Sequence, residues 1–147
     1  MVIRESIIIN APMKKVWDTF TNLTSWPNWN TVMKDVSSHA QCLSHGDSIQ
    51  CVFRPFLFPV KLNIRIEEVI PYDRVVWSAK KKGLSAYHEF FFQAQQKGVK
   101  VISQETFTGV LSSASGLFLP KKKMHSLTKI FLKDLKKVSE SNLSGKV

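Results

Sequence analysis

Residues 84–109 read LSAYHEFFFQAQQKGVKVISQETFTG, two alternating segments on either side of the turn-forming run Gln95–Gly98. Such alternation of apolar and polar residues is typical of two antiparallel strands joined by a tight turn. If Ala94 faces Val99 across the turn, the pairing of the whole hairpin follows. One face then carries three cross-strand pairs: Phe92 with Val101, Phe90 with Ser103, and His88 with Glu105. Because most of these residues are apolar, we predict that this is the inner face of a sheet. A register shift of one residue would turn the side chains of one strand to the opposite face of the sheet.

Five further segments with strand character bring the predicted sheet to seven strands. They span Ser6–Asn10, Val32–His39, Asp47–Phe53, Val60–Glu67 and Arg74–Lys80. Turn-forming residues at Ser44–Asp47 and Pro71–Asp73 separate neighbouring strands. The alternation is strict in Val60–Glu67, which predicts one buried and one solvated face.

Two short helices are predicted between the first and second strands. Asn10 is a candidate cap for the first helix, with Pro12 in its first turn and an apolar face at Val16, Trp17 and Phe20. A second cap at Asn22 precedes a shorter helix that contains Trp26–Trp29.

After Gly109 the period of the apolar residues returns to 3.6, which predicts a long amphipathic helix. Its apolar stripe is Met124, Leu127, Phe131, Leu135 and Val138, and its opposite side carries Lys129, Lys133, Lys136 and Lys137. Pro120 marks the start of this helix or a kink in it. Only this helix is large enough to cover the dry face of a bent sheet, so the fold class is α+β. Residues 1–140 are expected to form one domain and residues 141–147 a flexible tail.

Composition places the chain among single-domain globular proteins, with 147 residues, 44% hydrophobic and 22% charged. No apolar run approaches the roughly 20 residues of a membrane span, and the first residues lack the pattern of a signal peptide. We therefore expect a cytoplasmic protein, and free thiols at Cys42 and Cys51. His39, Cys42, His45 and Cys51 match no standard zinc spacing, so no metal site and no cofactor are predicted.

The net charge of +10 is concentrated near the C-terminus, where residues 121–147 contain eight Lys against Asp134 and Glu140. This charge could be a solvated helix face, or it could attract an anionic membrane or an acidic protein. Nucleic acid is disfavoured because only four of the 21 basic residues are Arg, the residue that dominates specific base contacts. The sequence leaves the oligomeric state open.

Five segments follow one another in this order: Ile9–Pro12 with Val16 and Trp17, then Trp26–Asn30, Val69–Trp77, His88–Phe92 and Gln104–Gly109. Together they resemble the START-like (SRPBCC) superfamily, which includes the birch-pollen allergen. The chain is most similar to the polyketide cyclase/dehydrase and lipid-transport group, over about residues 3–140. The resemblance implies a helix-grip fold, in which a seven-stranded antiparallel sheet wraps around the C-terminal helix and encloses a cavity. It implies a hydrophobic or amphipathic ligand and does not by itself imply catalysis.

The predicted cavity lining combines inward-facing strand residues, aromatic residues of the short helices and apolar residues of the long helix. It comprises Trp26, Trp29, Phe53, Phe56, Phe58, Leu62, Ile64, Trp77, His88, Phe90, Phe92, Glu105, Phe107, Leu127, Ile130 and Phe131. Trp26 and Trp29 could instead be plain core, and the apolar segment Arg54–Pro59 could be a loop at the cavity mouth or could fold onto the core. The pair His88 and Glu105 could anchor a ligand, act as a general acid and base, or be structural.

Three functions remain open at this point. The first is a binding module that carries or senses a hydrophobic or amphipathic small molecule or lipid, since an apolar cavity with few polar groups is the usual design of such a site. The second is an enzyme of the cyclase or dehydratase kind, which would use His88 and Glu105. The third is an interaction protein that uses the basic helix face.

Overall fold

The computed structural model describes residues 1–54, 59–81, 83–109 and 120–141. Seven strands form one antiparallel sheet with the order β1-β7-β6-β5-β4-β3-β2. The strands are β1 Val2–Ile9, β2 Lys34–Ser37, β3 Ser48–Phe53, β4 Val60–Ile70, β5 Arg74–Lys81, β6 Leu84–Gln95 and β7 Gly98–Gly109. The first strand therefore lies beside the last one, and β1 and β2 are the two edges of the sheet.

The β6–β7 hairpin has the register that the sequence predicts. Ala94 pairs with Val99, and the pairs Phe92–Val101, Phe90–Ser103 and His88–Glu105 follow along the ladder. The register is preserved over the whole hairpin, because twelve consecutive pairs join the two strands without a bulge. The inner face is apolar, and it places His88 opposite Glu105.

Two short helices connect β1 to β2, as predicted. They are α1 Met13–Thr21 and α2 Trp26–Trp29, with a 3-10 turn Leu23–Ser25 between them. The Asn22 side chain accepts a hydrogen bond from the Thr24 backbone N–H, as a cap of this turn. The predicted cap at Asn10 is wrong, because Pro12 is the residue that precedes α1 and no side chain caps its first turn.

β2 and β3 pair as the predicted hairpin, but β2 is shorter than the predicted Val32–His39 and the connection is longer. β2 is only four residues long, and ten residues separate it from β3. The backbone of this loop bonds to the end of α1 instead, through the Leu43 N–H to the Thr21 carbonyl and the Leu23 N–H to the Gln41 carbonyl. These tertiary hydrogen bonds end β2 at Ser37, short of the predicted His39.

The long helix, α3 Lys121–Ser139, packs against the sheet and begins directly after Pro120. It buries Met124, Phe131, Leu132 and Leu135, whereas the side chains of Lys129, Lys133 and Lys137 are exposed. A seven-stranded antiparallel sheet wrapped around a C-terminal helix is the helix-grip fold expected from the sequence. The helix thus presents its apolar stripe to the sheet and its cationic side to solvent.

Polar side chains of α3 also bond to the edge strand β1. Lys136 Nζ donates to the Ile8 carbonyl at 2.7 Å, and the Asn10 backbone N–H just beyond the strand donates to Glu140 Oε2 at 2.7 Å. At the middle of the strand, His125 Nδ1 lies 2.7 Å from Glu5 Oε2. Side-chain contacts therefore connect α3 to this edge strand near both ends of the helix.

The two cysteines are free thiols, with Cys42 exposed and Cys51 buried. No helix in the described ranges combines the length and the apolar character needed to cross a membrane. Of the predicted tail, residues 142–147 lie outside the described residues.

Candidate functional site

A cavity of about 260 Å³ lies between the inner face of the sheet and α3. Strands β3 to β7, the apolar side of α3 and the segment that follows α2 form its walls. The lining residues are Val32, Met33, Phe53, Val60, Leu62, Ile64, Trp77, Ala79, Lys80, Lys81, Leu84, Ala86, His88, Phe90, Ser103, Glu105, Phe107, Met124, Leu127, Thr128 and Phe131. The walls are therefore almost entirely apolar, with few polar groups among them.

Ten of the predicted lining residues lie against this cavity. They are Phe53, Leu62, Ile64, Trp77, His88, Phe90, Glu105, Phe107, Leu127 and Phe131. Two more, Phe56 and Phe58, lie outside the described residues, as does most of the predicted mouth loop that contains them. Whether the ten residues contact a ligand stays a prediction.

Four predicted lining residues lie elsewhere. Trp26 and Trp29 are buried in the core, where the Trp26 indole donates to the Phe20 carbonyl at 2.8 Å. Phe92 packs edge-on against Trp17 of α1 rather than against the cavity, with ring centroids 4.9 Å apart. Ile130 is 40% exposed, because the helix turns it away from the sheet between the inward residues Leu127 and Phe131.

Phe20 lies at the centre of an aromatic cluster beside the cavity. Its ring lies within 6.3 Å, centroid to centroid, of Trp26, Trp77, Phe90, Phe92 and Phe131. Phe20 and Trp77 are stacked with an interplanar angle of 9°. Because Trp77, Phe90 and Phe131 also line the cavity, they form its floor, and the aromatic side chains of α1 and α2 pack behind that floor.

His88 is the centre of a polar cluster on the cavity wall. Its Nε2 lies 2.7 Å from the hydroxyl oxygen of Ser103, and its Nδ1 lies 3.4 Å from Oε2 of Glu105. The Ser103 side chain is fully buried, while the side chains of His88 and Glu105 are 13% and 16% exposed. The imidazole ring stacks on the ring of Phe90, at a centroid distance of 4.1 Å, and forms a T-shaped contact with Trp77.

This geometry is suited to holding or moving a proton. An imidazole placed between a hydroxyl and a carboxylate can accept a proton from one side while the other side is hydrogen-bonded. The same residues are less suited to catalysing acyl transfer. Ser103 lies in the middle of β7, whose backbone is paired with β1 on one side and with β6 on the other. Backbone amides of a paired strand are already used by the sheet, and an oxyanion needs free donors.

Sequence reasoning missed several residues of the site. The hairpin register predicts Ser103 on the inner face of the sheet. A serine opposite a phenylalanine carries no functional signal of its own, so the sequence does not mark Ser103 as a site residue. Ala79 and Ala86 form a cross-strand pair that lines the cavity, and their small side chains leave space there. The sequence does carry a signal for them, because Ala79 is two residues from Trp77 and Ala86 is two residues from His88, so each lies on the same strand face as a predicted lining residue. Thr128, one turn after Met124, bonds to the carbonyl of that residue with its hydroxyl.

No family model matches the chain, and no curated protein matches it significantly. Solved structures do resemble it. Hypothetical protein jhp0584 from Helicobacter pylori is 18% identical with a TM-score of 0.79, over 95% of this chain and 88% of that one. The KanY protein is 14% identical with a TM-score of 0.78, over 96% of this chain and 98% of that one.

The di-domain ARO/CYC protein BexL, from the BE-7585A biosynthetic pathway, is 16% identical with a TM-score of 0.75. The match covers 96% of this chain and 50% of BexL, so this chain spans about half the length of that protein. At these identities the likeness shows a shared fold.

Proposed function

We propose that this chain is a START-like binding protein that holds a hydrophobic or amphipathic small molecule in the cavity between the sheet and α3. The observation that carries the proposal is the apolar lining of a cavity of about 260 Å³ with one polar cluster on its wall. Small-molecule sites are usually apolar pockets of roughly 300–1,000 Å³ with a few convergent polar groups. This cavity lies just below that range, which favours a compact ligand or one that extends through the mouth.

The position of the polar cluster determines how the proposed ligand would be oriented in the cavity. A ligand carbonyl or hydroxyl at His88 and Glu105 would add a hydrogen-bond partner to the polar cluster that faces the apolar space, and a few such polar groups fix the orientation of a ligand in an apolar pocket. The apolar part of the ligand would then lie along Phe90, Phe107 and Phe131. Likeness to BexL and KanY supports the fold that holds such a cavity, and the ligand is inferred from the lining residues.

The binding function can be tested with a neutral apolar probe, N-phenylnaphthylamine, whose fluorescence rises in an apolar site. Ala86→Leu adds bulk to the cavity wall, and we expect it to weaken probe binding about tenfold, or about 1.4 kcal/mol. Ala94→Leu is the matched control, since it makes the same change at an exposed position of the same strand. Probe binding that is absent in the wild type, or equal in the wild type and Ala86→Leu, would contradict the proposal.

Native mass spectrometry of freshly purified protein complements the probe. A stoichiometric small molecule, released on denaturation and absent from Ala86→Leu, would support carriage and identify the ligand class. A molecule that remains bound to Ala86→Leu in full stoichiometry would place its site elsewhere and count against the cavity.

A second candidate function is proton transfer to a ligand carbon or oxygen, as in a cyclase or dehydratase. It is favoured by the hydrogen-bonding distance between His88 and Ser103 and by the carboxylate of Glu105 on the other side of the ring. The test is deuterium exchange at the carbon next to the carbonyl of 2-octanone, followed by NMR. Acceleration by the wild type that is lost in His88→Gln and kept in His125→Gln would support it, and no acceleration above buffer would exclude it.

A further inference from the structure

Lys81 lies at the mouth of the cavity, on the inner face of β5. Trp77 and Ala79 precede it on the same face, because side chains of a strand point to the same side at every second residue. All three residues line the cavity, together with Lys80. An otherwise apolar wall thus ends in two exposed ammonium groups.

These two lysines have no carboxylate to neutralise them within the described part of the chain. The ion pairs there involve Lys14, Arg65, Arg74, Lys136 and two histidines, and none includes Lys80 or Lys81. Lys81 Nζ donates instead to the backbone carbonyl of Lys61 at 2.7 Å, which holds the ammonium beside β4. An ammonium has three donors, so two remain for another acceptor.

The strand pairing gives the distance between Lys81 and the polar cluster at His88. Lys81 pairs with Leu84 and Trp77 pairs with His88, so the two positions are four residues apart along the same strands. At about 3.3 Å per residue, this separation is about 13 Å. Between them the wall is formed by the small side chains of Ala79 and Ala86.

We infer that the ligand is an anionic amphiphile, with a carboxylate-like head group at Lys81 and an apolar chain that runs inward past Ala86, so that the carbonyl or hydroxyl proposed at His88 lies at the inner end of this chain. The inference rests on the proposed binding function and adds the chemical class of the ligand. An anionic head group would pair with an ammonium that no carboxylate of the described residues neutralises, and the apolar chain would fill an apolar channel of limited length.

The test compares decanoate with decanol, which has the same chain without the charge, by calorimetry and by displacement of N-phenylnaphthylamine. In the wild type at low salt, decanoate should bind about fivefold more tightly than decanol, and this preference should fall in high salt. Lys81→Gln should abolish the preference. Lys61→Gln removes the same charge from an exposed neighbour that does not line the cavity, and it should keep the preference.

The outcomes separate this inference from the binding function. If decanol and decanoate bind equally and displace the probe, the cavity binds ligands and the head-group inference is wrong. If the probe binds the wild type and neither compound displaces it, the head-group inference fails while the binding function stands on the probe; if the probe itself does not bind, the binding function fails as well. An equal loss in Lys61→Gln and Lys81→Gln would indicate a general charge effect and overturn the assignment. Binding to phosphatidylglycerol vesicles without decanoate displacing the probe would indicate a surface contact and also overturn it.

Discussion

Asp134 in α3 accepts two hydrogen bonds from Thr31 through the same carboxylate oxygen. The backbone N–H of Thr31 is 2.9 Å from Oδ2 and its hydroxyl oxygen is 2.7 Å away. The next two residues, Val32 and Met33, line the cavity. The helix therefore holds in place the segment that forms one wall of the site.

Asp134→Ala should loosen this wall. Both hydrogen bonds to a charged acceptor are lost, and we expect the free energy of unfolding to fall by about 1 kcal/mol. Amide hydrogen exchange should also speed up at Thr31 and the residues that follow. Asp18→Ala is the control, since it removes an exposed carboxylate from a local ion pair on α1. Unchanged exchange at Thr31 in the Asp134 variant would show that the contact does not restrain the segment.

The two thiols should differ strongly in reactivity. Burial raises the pKa of the Cys51 thiol to about 12, so almost no thiolate forms at neutral pH. Cys42 is exposed. Iodoacetamide should therefore label one site in the folded protein and two in denaturant, as counted by mass spectrometry. The Cys42→Ser variant should remain unlabelled while folded, and rapid labelling of that variant would contradict the burial of Cys51.

Glu140 should contribute stability that depends on pH. Hydrogen bonds from the Lys136 ammonium and then from the Asn10 backbone N–H lower the pKa of its carboxyl below the usual 4.5. The folded state thus binds this proton less readily than the unfolded state, so the contribution is complete above the usual pKa. It is lost as the pH falls through the lowered value.

Glu140→Gln should reduce the free energy of unfolding at pH 7 by about 0.5–1 kcal/mol, because it removes the charge and keeps an acceptor. The difference from the wild type should shrink on acidification below the usual pKa. Urea denaturation at several pH values measures both effects. Glu89→Gln, on the outer face of β6, serves as the comparison, and a deficit in Glu140→Gln that persists at low pH would argue against an electrostatic origin.

Gly98 should not tolerate a side chain. Its φ is +131°, and a Cβ there would lie 2.0 Å from the backbone carbonyl oxygen of Ile9. Gly98→Ala should therefore destabilise the protein by about 3 kcal/mol, through both backbone strain and steric overlap. Gly46 also has a positive φ, yet a Cβ there would meet nothing within 4 Å, and Gly46→Ala should cost about 1 kcal/mol. Equal unfolding midpoints in urea for the two variants would contradict the close approach of β1.

The sheet and its hairpin register were predictable because they depend on local signals. A short turn and a two-residue period determine which residues of β6 and β7 face each other, and they are enough to predict His88 opposite Glu105. The long helix was predictable for the same reason, since its apolar stripe runs over about four turns.

Residues whose role depends on tertiary packing were harder to place. Trp26 and Trp29 lie on a helix of one turn, which is too short to show which element its aromatic residues will meet. Ile130 lies at the border of the helical stripe, where a small rotation decides between core and solvent. The loop after β2 follows hydrogen bonds to α1, and its residues carry no local signal for those bonds.

The bonds between α3 and β1 have a consequence for association between molecules. An edge strand with free backbone groups can recruit a strand from another chain and start aggregation. Here the Ile8 carbonyl accepts from Lys136 and the Asn10 N–H donates to Glu140, so one end of this edge already has partners. The side chains of Lys136 and Glu140 therefore oppose the pairing of a second molecule at this end of β1.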